Sequence, residues 1–331
     1  MPAQQERSRG FVRWGLRAAV TIALCAAATA SGLEPAPDGF HATPSLYWQR
    51  GPHRIDLGLY VRTRPEWWSA YSDRMDLYEG TRARLRFQYS YEQIFLLVAE
   101  TQLANLGSMD PLGTGALANY RRANGGREDV TALQLRNLYV ELHPVKSAVA
   151  RLGRQEMKLG AEIAYTEPNW KYLKTMRLGE RLLGIVEWSH VGRGGDGFAG
   201  SWDFGGYQGN VFAAQPTTGV FAVDEGYQQL QDILYGGAVA TVKRGTWLAN
   251  TEFSFFGMGY GDDRPVKHGG LPGGVEMGTL GASALGIYPL GPGSFDALLW
   301  VAGQFGDYDH LDHGAAAGLA EFGYQLTNVF A

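Results

Sequence analysis

The sequence predicts an all-β fold, specifically a transmembrane antiparallel up-and-down β-barrel with about 12 strands in the present chain. Three observations predict this class: apolar and polar side chains alternate along most candidate strands, long and short connections alternate along the chain, and glycine and aromatic residues are abundant. The 331 residues include 46 glycines, and 12% of the residues are aromatic. Gly-rich turns and aromatic girdles are typical of membrane barrels, although composition alone also fits a soluble Gly-rich β-protein.

The clearest alternation lies in the segment Thr81–Tyr91. Apolar side chains fall on one face of this segment, and Arg82, Arg84 and Arg86 fall on the other. A period of two places alternate side chains on opposite faces of a sheet. Three arginines in register are unusual on the polar face of a soluble sandwich, whereas the wet lumen of a membrane barrel accommodates them. This segment therefore predicts a strand with one face toward lipid and the other toward water.

The N-terminus predicts a secretory signal peptide in residues 1–30. Four arginines precede the apolar stretch Ala18–Ala27, and Ala28-Thr29-Ala30 is a small-x-small site, which places cleavage near Ala30. A membrane anchor is the alternative, but the apolar stretch is shorter than the ~20 residues of a spanning helix. The only cysteine, Cys25, lies within this signal.

The rest of the chain divides into two predicted parts. Residues 31–53, rich in proline and aromatic side chains, predict a periplasmic lead-in segment, and residues 54–331 predict the transmembrane β-barrel domain. No later apolar run is long enough for a spanning helix, so a chain that spans a membrane has to do so as a closed barrel. The expected location is the outer membrane of a Gram-negative-type cell. The net charge of −4 makes nucleic acid a poor candidate partner.

Twelve segments predict strands, and each is close to the ~9–11 residues that a tilted membrane strand needs. They are Arg54–Arg64, Thr81–Tyr91, Ile94–Ala104, Leu133–His143, Ala148–Lys158, Leu183–Val191, Ala199–Phe212, Leu234–Val242, Trp247–Phe256, Val275–Tyr288, Phe295–Phe305 and Ala315–Gln325. The sixth, seventh and tenth are less regular because glycines interrupt the alternation. Changes of phase predict β-bulges near Arg136-Asn137 and at Gly153, and the second bulge would turn both Arg151 and Arg154 toward water.

The lengths of the connections predict how the barrel is oriented. Short turns are predicted at Glu92-Gln93, Pro144–Ser147, Gly192–Phe198, Lys243–Thr246 and Pro289–Ser294. Long loops are predicted at Pro65–Gly80, Asn105–Ala132, Leu159–Leu182, Ala213–Gln231, Gly257–Gly274 and, less long, Gly306–Gly314. Outer-membrane barrels have short periplasmic turns and long external loops, and a chain that enters from the periplasm would then have a long loop after each odd strand. A sandwich or jelly roll does not order its loops in this way.

The stretch Asn137–Tyr165 resembles the alginate-export family of outer-membrane β-barrels. The motif Arg151-Leu152-Gly153-Arg154-Gln155-Glu156 is similar to that family's most recognisable motif, and Asn137–Leu142 is similar to the strand before it. Gly80–Arg86 is similar to the family's Arg-rich upstream strand, and Asn169-Trp170 is similar to the Asn-Trp after the motif. The resemblance extends from Arg54 to the end of the chain. It implies a monomeric barrel of about eighteen strands that passes an acidic polysaccharide through an Arg-lined lumen. Export partners in the periplasm are a further expectation.

The sequence departs from the family pattern at three points. Leu183 and Val186 stand where the family has a lumen Asp and a second lumen Arg. None of the predicted short turns is long enough to form the family's pore-occluding periplasmic loop. The chain ends at Ala331 without the usual closing strand and its terminal aromatic residue. Twelve strands could close a smaller barrel, but this ending favours an incomplete part of a larger one.

Charged side chains on the inward face define the predicted substrate path. An acidic polysaccharide carries carboxylates at intervals, and arginine binds carboxylates with a planar fork that stays charged. Inward carboxylates would hold the arginines in place and keep the affinity low enough for release. The predicted lumen residues are Arg82, Arg84, Arg86, Arg136, Arg151, Arg154, Glu100, Glu141 and Glu156. In the alternative interpretation, the same pairs only brace a wet interior.

Enzymatic motifs such as a G-x-S-x-G elbow or an H-E-x-x-H pair do not occur in the sequence, so no catalytic residue, cofactor or metal site is predicted. The stretch Asp307–His313 has oxygen and nitrogen donors, but its spacing matches no recognised metal pattern, and a solvated external loop is the better interpretation. Trp67-Trp68 and Tyr71 would either stack sugars at the pore mouth or belong to an aromatic girdle. The predicted function is a passive outer-membrane channel for an anionic, alginate-like polysaccharide, in contact with outer-membrane lipid. The alternatives are a general or small-solute porin and a secreted soluble carbohydrate-binding β-protein.

Overall fold

A computed structural model describes residues 45–68, 76–264, 274–309 and 311–326. Within these residues the chain forms thirteen antiparallel strands that pair in sequence order in one up-and-down sheet. The strands are β1 (Ser45–Arg50), β2 (His53–Trp68), β3 (Asp76–Tyr91), β4 (Phe95–Gly107), β5 (Val130–Val145), β6 (Ala148–Gln155), β7 (Gly195–Asp203), β8 (Tyr207–Pro216), β9 (Ile233–Val242), β10 (Thr251–Asp262), β11 (Val275–Leu290), β12 (Gly293–Tyr308) and β13 (Leu311–Leu326). The all-β prediction is confirmed. The predicted signal peptide and Ala331 lie outside the described residues.

Within the described residues, two short helices lie in the connections between strands. Helix α1 spans Gly115–Ala123, and α2 spans Pro168–Leu173, with Lys174–Leu178 continuing α2 as a π-helical turn. Pro168 occupies the first turn of α2, where its missing N–H removes no helical hydrogen bond. In the described part of the chain, no helix combines the length and the apolar character needed to cross a membrane.

The alternation of side chains gives the sheet two different faces. In the β2–β3 pair, Leu59 lies opposite Leu85, and at the next position Tyr60 lies opposite Arg84. Directly opposed side chains share a face of the sheet. Leu85 is 56% exposed, whereas Arg82 is buried. The predicted alternation of Thr81–Tyr91 is therefore confirmed, with an exposed apolar face, called the outer face, and a covered arginine-bearing face, called the inner face.

The two ends of the sheet differ in the length of most of their connections. At one end, called the short-turn end, the strands are joined by residues 51–52, 92–94, 146–147, 204–206, 243–250 and 291–292. At the other, called the long-loop end, they are joined by residues 69–75, 108–129, 156–194, 217–232, 263–274 and 309–310. Connections longer than those at the short-turn end are confirmed at residues 108–129, 156–194, 217–232 and 263–274. The predicted loop Pro65–Gly80 is shorter than expected, because β2 and β3 leave only residues 69–75 between them, and the predicted turn Gly192–Phe198 is wrong, because β7 begins at Gly195. The alternation also fails at the last position. There the expected loop Gly306–Gly314 is wrong, because β12 runs to Tyr308 and pairs through Asp307 with Asp312 of β13.

Two of the predicted strands are wrong, and so is part of the predicted lead-in segment. The segment Leu183–Val191 is not a strand, Ala199–Phe212 contains both β7 and β8, and Ser45–Arg50 is β1 rather than part of a lead-in segment. The turn between β7 and β8 passes through Gly205, which has a φ of +76°. Glycine adopts this conformation without strain. Because it has no side chain, it does not interrupt the apparent alternation of apolar and polar residues in Ala199–Phe212, and the sequence pattern therefore did not indicate the turn.

The β-bulge predicted near Arg136 is confirmed. The register of the β4–β5 pair shifts between Glu100 and Thr101, which leaves Arg136 as the extra residue between Leu135 and Asn137. A bulge places two residues of one strand opposite one residue of its partner and bends the chain locally. This extra residue restores the inward position of the polar set in the second half of β5.

Residues 156–194, called the inner segment, cross the inner face from one side of the sheet to the other. Arg64 of β2 donates a hydrogen bond to the carbonyl oxygen of Trp188 at 2.8 Å, and Arg181 donates to Glu321 of β13 at 2.7 Å. A flat sheet would separate β2 from β13 by about 53 Å. The extended chain between Arg181 and Trp188 spans at most about 25 Å. The sheet is therefore curled around the inner segment.

Apolar clusters fix the connections against the inner face. One cluster joins α1 and the loop 217–232 to β3, β4 and β5, and includes Tyr78, Leu106, Leu117, Tyr120 and Val223. A second joins α2 and the following turn to β11 and β12, and includes Trp170, Leu173, Leu285, Leu298 and Trp300. These contacts bury apolar side chains of the loops against the few apolar positions of the inner face.

The sheet is not closed. Among the described residues, β1 pairs only with β2 and β13 pairs only with β12, so these two strands form its edges. The structure thus has a curled antiparallel sheet of the up-and-down kind.

Candidate functional site

Glu187 of the inner segment lies among three arginines of the inner face. Its carboxylate pairs with Arg82, lies 2.9 Å from Nη1 of Arg84 and lies 3.4 Å from Nη2 of Arg136. The two-residue period of β3 places Arg82 and Arg84 side by side, and the β5 bulge brings Arg136 to the same site. The guanidinium carbons of Arg82 and Arg84 each lie 5.5 Å from the ring centroid of Tyr60, within the range of a cation–π contact. Arg82, Arg84 and Arg136 are called the arginine cluster below.

The arginine cluster is compensated by three carboxylates. Besides Glu187, Arg136 pairs with Glu100 of β4 and with Glu156 of the inner segment. Burial alone would raise the pKa of Glu187, but Arg84, Arg136 and Arg82 lower it to about 2. Burial would likewise raise the pKa of Glu156, and Arg136 holds it below its ordinary value. Both acids are therefore ionised at neutral pH, and three positive charges face three negative ones.

Arg86 lies on the same wall without such compensation. Its Nε is buried and has no hydrogen-bond partner in the part of the chain that the structure describes. Glu100 lies directly opposite Arg86 in the β3–β4 register, but the Glu100 carboxylate is engaged by Arg136. Arg86 thus adds a cation next to the arginine cluster.

A second charged group lies nearer the short-turn end. Arg151 pairs with Glu141, and His143 Nε2 lies 2.6 Å from the other oxygen of the same carboxylate. The guanidinium of Arg151 also lies 5.7 Å from the ring centroid of Tyr139. The structure therefore brings together the predicted residues Arg151 and Glu141, separate from the arginine cluster.

The predicted inward position of Arg154 is wrong. The expected bulge at Gly153 is wrong, because β6 stays in continuous register there and places Arg154 opposite Leu138 and Asp196 on the outer face. Arg154 forms a two-pronged ion pair with Asp196, with both contacts at 2.7 Å. Gly153 has a φ of +124°, and a Cβ there would lie 2.3 Å from the carbonyl oxygen of Leu138. Glycine at this position lets β6 pack closely against β5. The register shift of the β5–β6 hairpin lies beyond Leu142.

Sequence reasoning missed the charged residues of the inner segment. Lys174, Arg177 and Arg181 pair with carboxylates of β10, β12 and β13, namely Glu252, Asp296 and Glu321. The sequence pattern predicts an external loop for these cations and a strand for Glu187. Their spacing of three and four residues is the signal that could have found them, because side chains at this spacing share one side of a helical turn.

His190 marks the place where the inner segment crosses β3. Its side chain is fully buried, and a Cβ on Gly80 would lie 1.7 Å from His190 Cε1, so only glycine leaves room for the ring. The imidazole packs edge-on against Tyr78, and its Nε2 lies 3.3 Å from Oε1 of Glu66. Burial, and after it the charge of Arg64, lower the pKa of His190 to about 4. The ring is therefore neutral at neutral pH.

The described residues contain no cluster of three or more His, Cys, Asp or Glu side chains that could hold a metal ion. Within the stretch 307–313, the described residues belong to the tight β12–β13 hairpin, and His310 lies outside the described part. Comparison of the chain with family models and with curated proteins gives no match. The arrangement that the geometry itself provides is a set of guanidinium groups suited to binding carboxylates on a covered wall.

Proposed function

We propose that this chain forms the wall of a passive outer-membrane channel that conducts or exports an anionic, alginate-like polysaccharide. The observation that carries the proposal is the separation of an arginine-bearing inner face from an apolar outer face on one curled sheet. A soluble β-protein buries its apolar face and exposes its polar one, whereas a membrane barrel does the reverse.

Large apolar side chains on the outer face support a lipid environment. Leu133 is 74% exposed, and Leu152, in the middle of its strand, is 67% exposed. The same face carries the exposed side chains of Leu57, Leu85, Leu103, Leu138, Leu280, Leu299, Val301 and Phe322. A soluble protein rarely leaves so extended an apolar surface in water, which disfavours the secreted soluble alternative.

Aromatic side chains at both ends of the outer face support the same placement. At the short-turn end the exposed aromatic residues include Trp48, Tyr91, Trp202, Tyr207, Trp247 and Tyr324. At the long-loop end they include Trp67 and Phe305. Aromatic girdles flank the apolar band of outer-membrane barrels at the two interfaces. Trp67 therefore fits a girdle better than a sugar-stacking platform; the Trp68 side chain and Tyr71 lie outside the described part.

In a channel of this kind, the two edge strands have to be paired. Hydrocarbon offers no hydrogen-bond partners, so the edges of β1 and β13 need strand pairing beyond that in the described residues before the sheet can lie in a bilayer. Closure into a barrel, and the monomeric state that the resemblance implies, are parts of the proposal.

The contacts of Glu187 support a carboxylate-bearing substrate. A carboxylate of the chain itself already lies between Arg82, Arg84 and Arg136, which is the environment that a uronate-type polymer would need. Arg86 supplies a further cation along the same wall. Successive carboxylates of a moving polymer would exchange between such cations, whose partial compensation keeps each contact weak.

A general or small-solute porin is the second candidate function. The compensation of the arginine cluster by Glu100, Glu156 and Glu187 favours it, since a balanced set of ion pairs can brace a wet interior without contacting a polymer.

Conductance across planar bilayers separates the two functions. The polysaccharide channel is expected to prefer anions, and a short polyuronate is expected to block its current while a neutral oligosaccharide of equal length does not. Arg86→Ala is expected to lower the anion preference, whereas the matched control Arg122→Ala, on the exposed side of α1, leaves it unchanged. A cation preference, or an unchanged preference in Arg86→Ala, would reject the polyanion proposal in favour of the porin.

A further inference from the structure

A cavity of ≈ 250 Å³ lies between the inner segment and strands β6–β9, next to the arginine cluster. Its floor is formed by neighbouring inward positions of the sheet, with Ser201 directly opposite Asn210 and with Phe212 at the next inward position of β8. Its roof is formed by the start of the inner segment, including Met157 and Glu162. The floor and the roof of the cavity therefore each carry both polar and apolar side chains.

Two complementary polar atoms at this cavity have no partner. Nδ2 of Asn210 and Oε2 of Glu162 are buried and make no hydrogen bond within the described part of the chain. The other atom of each group is fixed, because Asn210 Oδ1 accepts from Gln208 Nε2 at 3.1 Å and Glu162 Oε1 accepts from the Gly160 amide at 2.8 Å. Buried polar atoms are nearly always paired, so a ligand that both accepts and donates hydrogen bonds would complete both groups.

We propose that this cavity binds one ring of a neutral, hydroxylated sugar. A hydroxyl group both accepts and donates, so adjacent ring hydroxyls can accept from Asn210 Nδ2 and donate to Glu162 Oε2, with the Ser201 hydroxyl as a further partner. Phe212 and Met157 line the same cavity and can contact the C–H face of the ring. The volume lies just below the ~300 Å³ at which drug-sized ligand pockets begin, which suits a single ring.

The charge of Glu162 selects against acidic sugars at this site. Arg151 and Lys158 also line the cavity, but each already pairs with another carboxylate, Glu141 and Glu156 respectively. No cation lies within ion-pair distance of the Glu162 carboxylate in the described residues, so a uronate carboxylate in the cavity would meet its uncompensated negative charge. The site thus differs from the arginine cluster in the class of sugar it binds. It is independent of the proposed conduction, since binding to the protein in detergent requires no transport.

The test is a titration of the full chain in detergent micelles with a neutral hexose and with glucuronate, followed by saturation-transfer NMR. The neutral hexose is expected to bind saturably with a Kd on the order of millimolar, and glucuronate is expected to bind more weakly. Asn210→Leu is expected to weaken the binding about fivefold or more, since it removes a hydrogen-bond donor at nearly constant size. The same change at Asn105, whose amide already donates to Thr131 at 2.6 Å and which lies outside the cavity, is expected to leave it unchanged.

A second variant keeps the proposal testable if Asn210→Leu fails to fold. Glu162→Gln preserves the shape of the side chain but removes its charge, so it is expected to weaken hexose binding and to narrow the difference between hexose and glucuronate. The proposal is overturned if no hexose binds saturably, if glucuronate binds more tightly than the hexose, or if a folded Asn210→Leu protein keeps its affinity. None of these results bears on the anion preference measured in bilayers.

Discussion

Replacement of Glu187 by glutamine tests whether the compensated arginine cluster holds the inner segment in place. The change keeps the shape of the side chain but leaves Arg82, which is 1% exposed, beside Arg84 without its nearest counter-charge. The pKa of Glu187 is about 2 against an ordinary value of 4.5. At about 1.4 kcal/mol for each pH unit, this difference corresponds to about 3 kcal/mol of folding free energy. Because the side chain is 30% exposed, water screens part of this interaction, and we expect a loss of about 2–3 kcal/mol.

The dependence of this loss on pH has a defined direction. The pKa of Glu187 is lower in the folded protein than in the unfolded chain, so its contribution is fully present above about pH 4.5 and is lost as the pH falls toward about 2. The free energy of unfolding of the Glu187→Gln protein should therefore lie below that of the natural protein at pH 7. The two values should converge as the pH approaches 2.

Unfolding by urea in detergent, followed by the heat-modifiable gel mobility of the folded protein, measures this difference. Glu92→Gln, in an exposed short turn, is the matched control and should change the free energy by less than about 0.5 kcal/mol. An equally small effect of Glu187→Gln at pH 7, or a difference that persists at pH 2, would show that Glu187 does not stabilise the arginine cluster.

Three further predictions concern the contacts of the inner segment. Gly80→Ala should destabilise the protein by more than about 2 kcal/mol in the same unfolding assay, because its Cβ would overlap the buried His190 ring, whereas Gly314→Ala, with open space around it, should be tolerated. Lys174→Ala should cost about 3–5 kcal/mol, because Glu252 is 1% exposed and would lose its buried counter-charge; a cost below 1 kcal/mol would show that the pair is not buried. His190→Leu should remove a loss of stability that the natural protein shows as the pH falls from about 6.5 to about 4, because the unfolded chain binds a proton on this histidine before the folded protein does. A pH profile that is identical in both proteins would contradict that assignment.

The strand content and the two faces of the sheet could be predicted from the sequence because they depend on local periodicity. The alternation of Arg84 and Leu85 is visible in a single segment. Sheet geometry alone then places the two side chains on opposite faces, so that one is covered and the other exposed. The bulge at Arg136 could also be predicted, since an extra residue is the only way to keep both halves of β5 in phase. The position of Arg154 could not, because the positive φ of Gly153 keeps the strand in register where a change of phase was expected.

The inner segment could not be predicted because its structure depends on contacts across the sheet. Glu187, Lys174 and Arg177 are surrounded by residues that lack a strong strand or helix pattern, and their partners lie on β3, β10 and β12, far away in the sequence. Ion pairs of this kind leave no periodic signal, since one charged residue can pair with any opposite charge that the fold brings near. The expectation that no short turn could form a pore-occluding periplasmic loop concerned only the short-turn end, whereas the segment that covers the inner face comes from the long-loop end.

The central claim is that the outer face contacts lipid while the arginine-bearing inner face contacts water. Spin labels on single cysteines, introduced as Leu85→Cys and Gln88→Cys in a Cys25→Ser background and reconstituted in bilayers, test it most directly, because the two positions lie on opposite faces of β3. We expect the label at 85 to be relaxed mainly by oxygen, which partitions into lipid, and the label at 88 to be relaxed mainly by a water-soluble nickel complex. The opposite pattern, or equal access of the nickel complex to both labels, would contradict the account.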